Sequence, residues 1–342
     1  MEAIQQALSR GTLILDVRSE KEFRLGAIPG AINMPILTDD ERHLVGTTYK
    51  QKNSQEALAL GLELFAARAE AYLEQFIGAT ANGEILVYCW RGGMRSELSL
   101  RWLRASGLRV NKLAGGYKAF RQLVLASIEQ GTREKNFLVL NGQTGVGKTE
   151  LIHAAAERSL PCLDFEAMAR HRGSLFGGLA QPLPPATQQE FENQLALAFH
   201  QLSSAPTIVV EIEGAIGPVV LPLPLQRKMR ASPMIYLESS LEERLQRLLR
   251  IYTPKWSAPT AAAFMAGLQQ CRRFLSQEVY KQICTNIAAK DLAGAARLLL
   301  LHRYDKAYQK GLDKHKSSCI AQFTVPEQKE AFFRFLETSL VL

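Results

Sequence analysis

The apolar run FLVLNG (Phe137 to Gly142) passes directly into QTGVGKT and then into ELIHAAAERS, whose apolar residues recur at helical spacing. A short buried strand, a glycine-bearing turn and a helix in immediate succession point to an α/β domain with a parallel sheet. The turn, Gly142, Gln143, Thr144, Gly145, Val146, Gly147, Lys148 and Thr149, fits G-x-x-x-x-G-K-[ST] in the context that gives the motif meaning. Its glycines allow close backbone approach. Its N–H groups and the helix N-terminus suit phosphate oxygens, Lys148 adds a point charge, and Thr149 can hold a magnesium ion.

Two further strands are expected in this half of the chain, in PTIVVEIEG (206–214) and SPMIYLES (232–239). Glu211 and Glu213 are the acidic candidates beside the phosphate loop. The aspartate that commonly ends such a strand to hold magnesium is absent, so diphosphate binding is better supported than nucleotide hydrolysis. His171 and Arg172, in the stretch RHRGS, are candidates for diphosphate or RNA contacts. Arg244, Arg247 and Arg250 fall at i, i+3, i+6 on one helix, and read as a stripe for a phosphate backbone or, slightly more simply, as the helix's charged outer face. From Leu241 to about residue 314 the pattern is mainly helical, GGLAQPLPPAT (177–187) reads as an exposed loop, and no zinc-type cysteine spacing or other metal motif occurs.

The same strand, loop and helix order occurs earlier. EILVYC (84–89) leads into WRGGMRS and then into ELSLRWLRASG, which stops at Gly107. Cys89 thus ends a strand and faces a helix N-terminus, where the dipole and loop amides favour a thiolate. Trp90, Arg91, Gly92, Gly93, Met94 and Arg95 complete the loop. The glycines permit tight folding and the arginines can add positive charge. Such a nest suits a sulfur that carries a terminal sulfur or selenium atom, or one that attacks an oxyanion. TLILDVRS (12–19) and a segment after the Pro29-Gly30 turn read as strands, and residues 54–77 as a long amphipathic helix or helix pair. The polar stretch 128–136 reads as the connection between an N-terminal domain, 1–128, and a C-terminal domain, 135–342.

The 342 residues carry a formal charge of +8, compatible with a polyanionic partner. No apolar run is long enough for a bilayer and no signal peptide is evident, so a cytoplasmic protein without membrane association is expected. The five cysteines have irregular spacing, without a disulfide framework.

Asp16-Val17-Arg18, Glu22-Phe23, Gly26 to Asn33 and Pro35, with the loop from Cys89 and Gly115-Gly116-Tyr117-Lys118-Ala119-Phe120, resemble the signature of rhodanese domains over about residues 1–125. That resemblance implies a persulfide-carrying cysteine or a phosphatase-like use of the same loop, with Asp16 and Arg18 structural. The union of this domain with a phosphate-loop domain resembles the tRNA 2-selenouridine synthase family over nearly the whole chain. CWRGGMRS, ERHLVGTTY (41–49), GQTGVGKTELI, AMARHRGSLFGG followed by Gln181-Pro182, and EIEGAIG carry the match. EIEGAIG departs from the family pattern, with Gly214-Ala215 where a serine and an arginine are usual.

The resemblance implies an α/β protein: an N-terminal rhodanese-like domain with a parallel sheet, then a P-loop NTPase-like α/β domain with a helical tail. It implies a transferase acting on the wobble uridine in the tRNA anticodon. There, 2-thiouridine is alkylated by geranyl diphosphate, and the S-geranyl group is then displaced by selenium from selenophosphate. No tightly bound cofactor is implied. Cys89 would receive or deliver selenium, a perselenide being one form it could take. An NTP-dependent sulfurtransferase or kinase fused to a rhodanese domain remains the alternative, with a non-catalytic sensor behind it.

Overall fold

Leu13–Asp16 is extended because its apolar residues are sealed from water, and it forms the first strand, β1, of a parallel sheet. The computed structural model describes residues 2–67, 69–70, 72, 83–174, 176–178, 183–212, 214–306, 308 and 318–340. These residues divide by contact into two units. One comprises 1–131 and 187–201, the other 132–186 and 202–342.

The first unit holds a four-stranded parallel sheet in the order β2-β1-β3-β4, where β2 is Ile32–Asn33, β3 Glu84–Tyr88 and β4 Arg109–Lys112. Register pairs Asp16 with Tyr88, so Cys89 emerges at the carboxyl edge beside the end of β1. Helices Asp39–Gln51 and Ser54–Ala66 occupy the stretch between β2 and β3, and each opens on a capping side chain, Thr38 or Asn53. The rest of the expected 54–77 helix falls largely outside the described residues. Helix Gly116–Glu134 runs through the polar stretch read as a connection, and a new strand begins at Asn136. Helix Gln188–Gln201 lies between strands of the second unit in sequence but packs with the first. The buried Asn193 amide explains why: its Nδ2 donates to Ala27 O at 2.7 Å and Tyr117 Oη at 3.0 Å, and its Oδ1 accepts from Arg121 at 2.6 Å.

Asp16 and Arg18 form a buried pair, 0% and 1% exposed. Arg18 Nε donates to both Asp16 carboxylate oxygens at 2.9 Å, and Arg18 also donates to Gly26 O at 2.7 Å beneath the Tyr117 ring. Their place in the core makes them structural. Asp16→Ala leaves a buried guanidinium uncompensated and should cost about 3–5 kcal/mol, read as a lower urea midpoint. A loss below about 1 kcal/mol would mean that water reaches Arg18 in the variant.

The second unit holds a parallel sheet in the order β11-β10-β5-β7-β6. Here β5 is Asn136–Gly142, β6 Cys162–Leu163, β7 Thr207–Glu211, β10 Met234–Glu238 and β11 Cys319–Thr324, while Ala215–Ile216 and Val219–Val220 form a small hairpin, β8 and β9. Leu138, Leu140, Ile152, Val209, Ile235 and Leu237 pack with Phe332, Phe333 and Leu336 of the last helix, Lys329–Leu340. Helices Leu241–Tyr252, Ala258–Cys271, Gln277–Ala288 and Leu292–Leu299 supply the expected helical region. The chain then returns to the sheet as β11, an edge strand that the reading of a helical tail did not include. Its burial pattern is mostly exposed, so the apolar signal that marks the inner strands is missing. Among the described residues, no helix is long and apolar enough to cross a membrane.

Candidate functional site

In the first unit, the backbone from Cys89 to Gly93 turns back over the glycine pair at 115–116. Tyr117 N–H donates to Cys89 O at 2.9 Å and Lys118 N–H to Trp90 O at 2.8 Å. Gly116 has φ +60°, and a Cβ there would lie 2.3 Å from Cys89 O and 2.4 Å from Gly92 N, so only glycine fits beneath the loop. Helix Met94–Ala105 begins at Gly93, which directs its amino end at the loop. The Cys89 thiol is 3% exposed and lies 3.2 Å from Ser96 Oγ. Ser96 is held in turn by Gly93 O at 3.1 Å.

Trp90, Arg91, Gly93 and Met94 are exposed around the loop. Arg95 is turned away from it. Its guanidinium donates to Glu22 at 2.6 and 3.2 Å. Burial alone would raise the Glu22 pKa, but Arg95, with Arg42 behind it, holds the carboxyl below its ordinary range. Arg95 therefore anchors the helix, and Arg91 is the loop arginine that reaches solvent. Met94 and Arg95 also line a cleft formed with His43, Val45 and Tyr49, so the ERHLVGTTY insert forms part of the cysteine-loop surface.

In the second unit, the central position of β5 sets the site. The loop Gly142–Thr149 leaves its carboxyl end, and helix Lys148–Glu157 opens there. Gly145 and Gly147 take φ +81° and +101°. Lys148 Nζ donates to Gly142 O at 2.7 Å, which folds the ammonium over its own loop. Register places Glu211, the last residue of β7, opposite Leu140 of β5. The Thr149 hydroxyl consequently lies 3.1 Å from Glu166 Oε2 and 3.2 Å from Glu211 Oε1. Glu166 escaped the sequence reading; its one signal was an acidic residue opening the short helix Phe165–Ala169 after β6.

Arg172 lines the same cleft, and its Nε is buried without a hydrogen-bond partner among the described residues. His171 does not line it. Its ring is packed against Gly177 and Gly217, with Nδ1 unpartnered among the described residues, and burial lowers its pKa. Glu213 lies outside the described residues. Arg244 and Arg247 correct the reading as a charged outer face, because both are buried. Arg244 donates to Thr144 O at 3.3 Å and pairs with Asp305 at 2.8 Å. Arg247 donates to Gly145 O at 2.7 Å and to Glu150 at 2.9 Å. They brace the phosphate loop from the helix Leu241–Tyr252. Spacing of i, i+3 identifies a common face but not what that face meets.

Burial, then the neighbouring Glu166 carboxylate, pushes the Glu211 pKa up to about 7. The folded protein thus keeps this proton up to about pH 7, whereas an unfolded chain releases it at the ordinary carboxyl value. This contribution to stability is fully present below the ordinary value and is lost as pH rises toward 7. Without divalent cations, the urea midpoint of Glu211→Gln relative to the parent should rise between about pH 5 and about pH 8. A constant difference would contradict the raised value.

Sequence comparison adds an independent finding. The family model described as the tRNA 2-selenouridine synthase AAA domain matches residues 135–338, and that of the rhodanese-like domain matches residues 1–123. The proteins named tRNA 2-selenouridine synthase from Cupriavidus pinatubonensis, Nitrosomonas eutropha and Shewanella halifaxensis are 43%, 40% and 35% identical to this chain. The alignments cover 71%, 87% and 88% of this chain and 66%, 74% and 89% of those proteins. The match thus spans just under two thirds of the Cupriavidus relative.

Proposed function

The chain belongs to the tRNA 2-selenouridine synthase family, and we propose that it converts 2-thiouridine at the tRNA wobble position to 2-selenouridine through an S-geranyl intermediate. The observation that carries this reading is the pairing, in one chain, of a cysteine nest with a phosphate-binding loop. The +8 charge is compatible with an RNA substrate.

In the first step the thiocarbonyl sulfur attacks C1 of geranyl diphosphate. The S–C1 bond forms, the C1–O bond breaks and diphosphate leaves, while N3–H of the base loses its proton to water and C2=N3 replaces C2=S. Charge grows on the departing oxygens, where the loop amides, Lys148 and the Arg172 guanidinium would meet it. The hydroxyl of Thr149 with the carboxylates of Glu166 and Glu211 makes an all-oxygen set. Such a set suits magnesium, with diphosphate oxygens and water filling its other positions. Bound there, magnesium would neutralise part of the diphosphate charge.

In the second step the alkylated sulfur is a competent leaving group at C2. Forming a perselenide from Cys89 and selenophosphate would require a two-electron oxidant. A route without one is attack of the Cys89 thiolate on phosphorus, with the loop amides holding the phosphate oxygens. The S–P bond forms, the P–Se bond breaks, and hydrogen selenide is released. Selenide then attacks C2, the C2–Se bond forms, and geranylthiolate departs. Water removes the phosphoryl group from Cys89.

The test is incubation with 2-thiouridine tRNA, geranyl diphosphate and selenophosphate, followed by nucleoside mass spectrometry. A geranyl adduct that converts to 2-selenouridine supports the reading. Nucleotide hydrolysis with no new nucleoside would replace it with the NTP-dependent alternative.

A further inference from the structure

An apolar cavity of about 80 Å³ lies among the helices that follow β10. Its depth is lined by Phe176, Trp256, Phe264, Ile287, Leu292 and Leu299. Phe176 stacks on Phe264 with ring centres 4.2 Å apart, and Trp256 meets Phe264 edge-on at 5.6 Å. At its other end the wall is shared. Thr144 of the phosphate loop, with Ser174, Leu248, Tyr252 and Tyr304, lines both this cavity and the phosphate cleft. Hydroxyl groups therefore gather at the junction, and hydrocarbon lies beyond it.

The cavity's continuity with the phosphate loop suits a molecule with an anionic head and an apolar body. A nucleobase suits it poorly. Away from the junction, the only side-chain polar groups among the described residues are the Thr253 hydroxyl and the Trp256 indole N–H, so most ring nitrogens of a base would be buried unpaired.

We propose that this cavity receives the hydrocarbon tail of the diphosphate held at the phosphate loop, and that Phe264, stacked on Phe176 in its wall, limits the tail length accepted. The inference rests on the prenyl diphosphate reading above and adds to it a place for the tail and a residue that measures it.

Three ligands separate the two ideas: inorganic pyrophosphate, which is head alone, and the ten-carbon and fifteen-carbon prenyl diphosphates. Ala296 also lines the cavity, so Ala296→Trp fills it. That variant should bind pyrophosphate like the parent yet show a KM for the ten-carbon donor raised about tenfold or more. Phe264→Ala should raise the fifteen- over ten-carbon preference in kcat/KM about tenfold. Parent protein that fails to bind pyrophosphate would sink the diphosphate reading itself. Normal pyrophosphate binding with an unchanged ten-carbon KM in Ala296→Trp would overturn only the tail site. If Ala296→Trp loses pyrophosphate binding through misfolding, the chain-length preference of Phe264→Ala decides alone, and an unshifted preference overturns the proposal. A nucleotide that displaces pyrophosphate from the parent but not from Ala296→Trp would assign the cavity to a base and overturn it as well.

Discussion

Cys89→Ser should reduce selenium incorporation by about a thousandfold or more while leaving S-geranylation within about twofold of the parent. The side chain sits at the end of β3 with its sulfur 3.2 Å from Ser96 Oγ, so an oxygen in its place keeps the packing and the hydrogen bond. What is lost is the sulfur nucleophile. An alcohol at the same point is a weaker nucleophile unless a general base activates it, and the Glu22 carboxylate is engaged with Arg95. Nucleoside mass spectrometry of the product tRNA separates the two effects, because the geranylated intermediate should accumulate. Equal loss of both products would show that Cys89 serves alkylation too.

Lys148→Ala should have the opposite signature. Its ammonium is folded onto Gly142 O at 2.7 Å and is the point charge of the loop. Removing it should lower geranyl transfer about 100- to 1000-fold, the range typical for deleting one donor to a developing negative charge. Lys148→Arg should rescue little, because a planar fork does not replace a compact ammonium in a loop closed around it. Pyrophosphate binding by calorimetry should weaken in parallel. Retained geranyl transfer would mean that Arg172 and the amides suffice. The loop itself should survive, since Arg244 and Arg247 hold its carbonyls from the neighbouring helix.

Those two arginines show where sequence ceases to be enough. Strand, loop and helix order disclosed both sheets, because buried parallel strands are short apolar runs and the glycine motifs lie between them. Cys89, the phosphate loop and Glu211 were legible for the same reason: each sits at a strand's carboxyl end. Arg244 and Arg247 were visible as a stripe, but their burial depends on which loop carbonyls meet them, and spacing carries no such information. β11 was hidden because an exposed edge strand shows no core pattern. The membership of helix Gln188–Gln201 in the first unit rests on contacts such as those of the Asn193 amide and the Arg121–Glu192 ion pair, which no periodicity records. The cavity beyond the phosphate loop draws on residues from Thr144 to Tyr304, so it exists only once the helices are packed.

The central claim is that alkylation depends on the phosphate loop and selenation on the cysteine loop. It is tested most directly by giving Lys148→Ala protein tRNA that already carries S-geranyl-2-thiouridine, together with selenophosphate, and measuring the rate of 2-selenouridine formation. A rate equal to that of the parent is the predicted result. A rate reduced as far as geranyl transfer is reduced would mean that the phosphate loop takes part in both reactions, and would contradict the account.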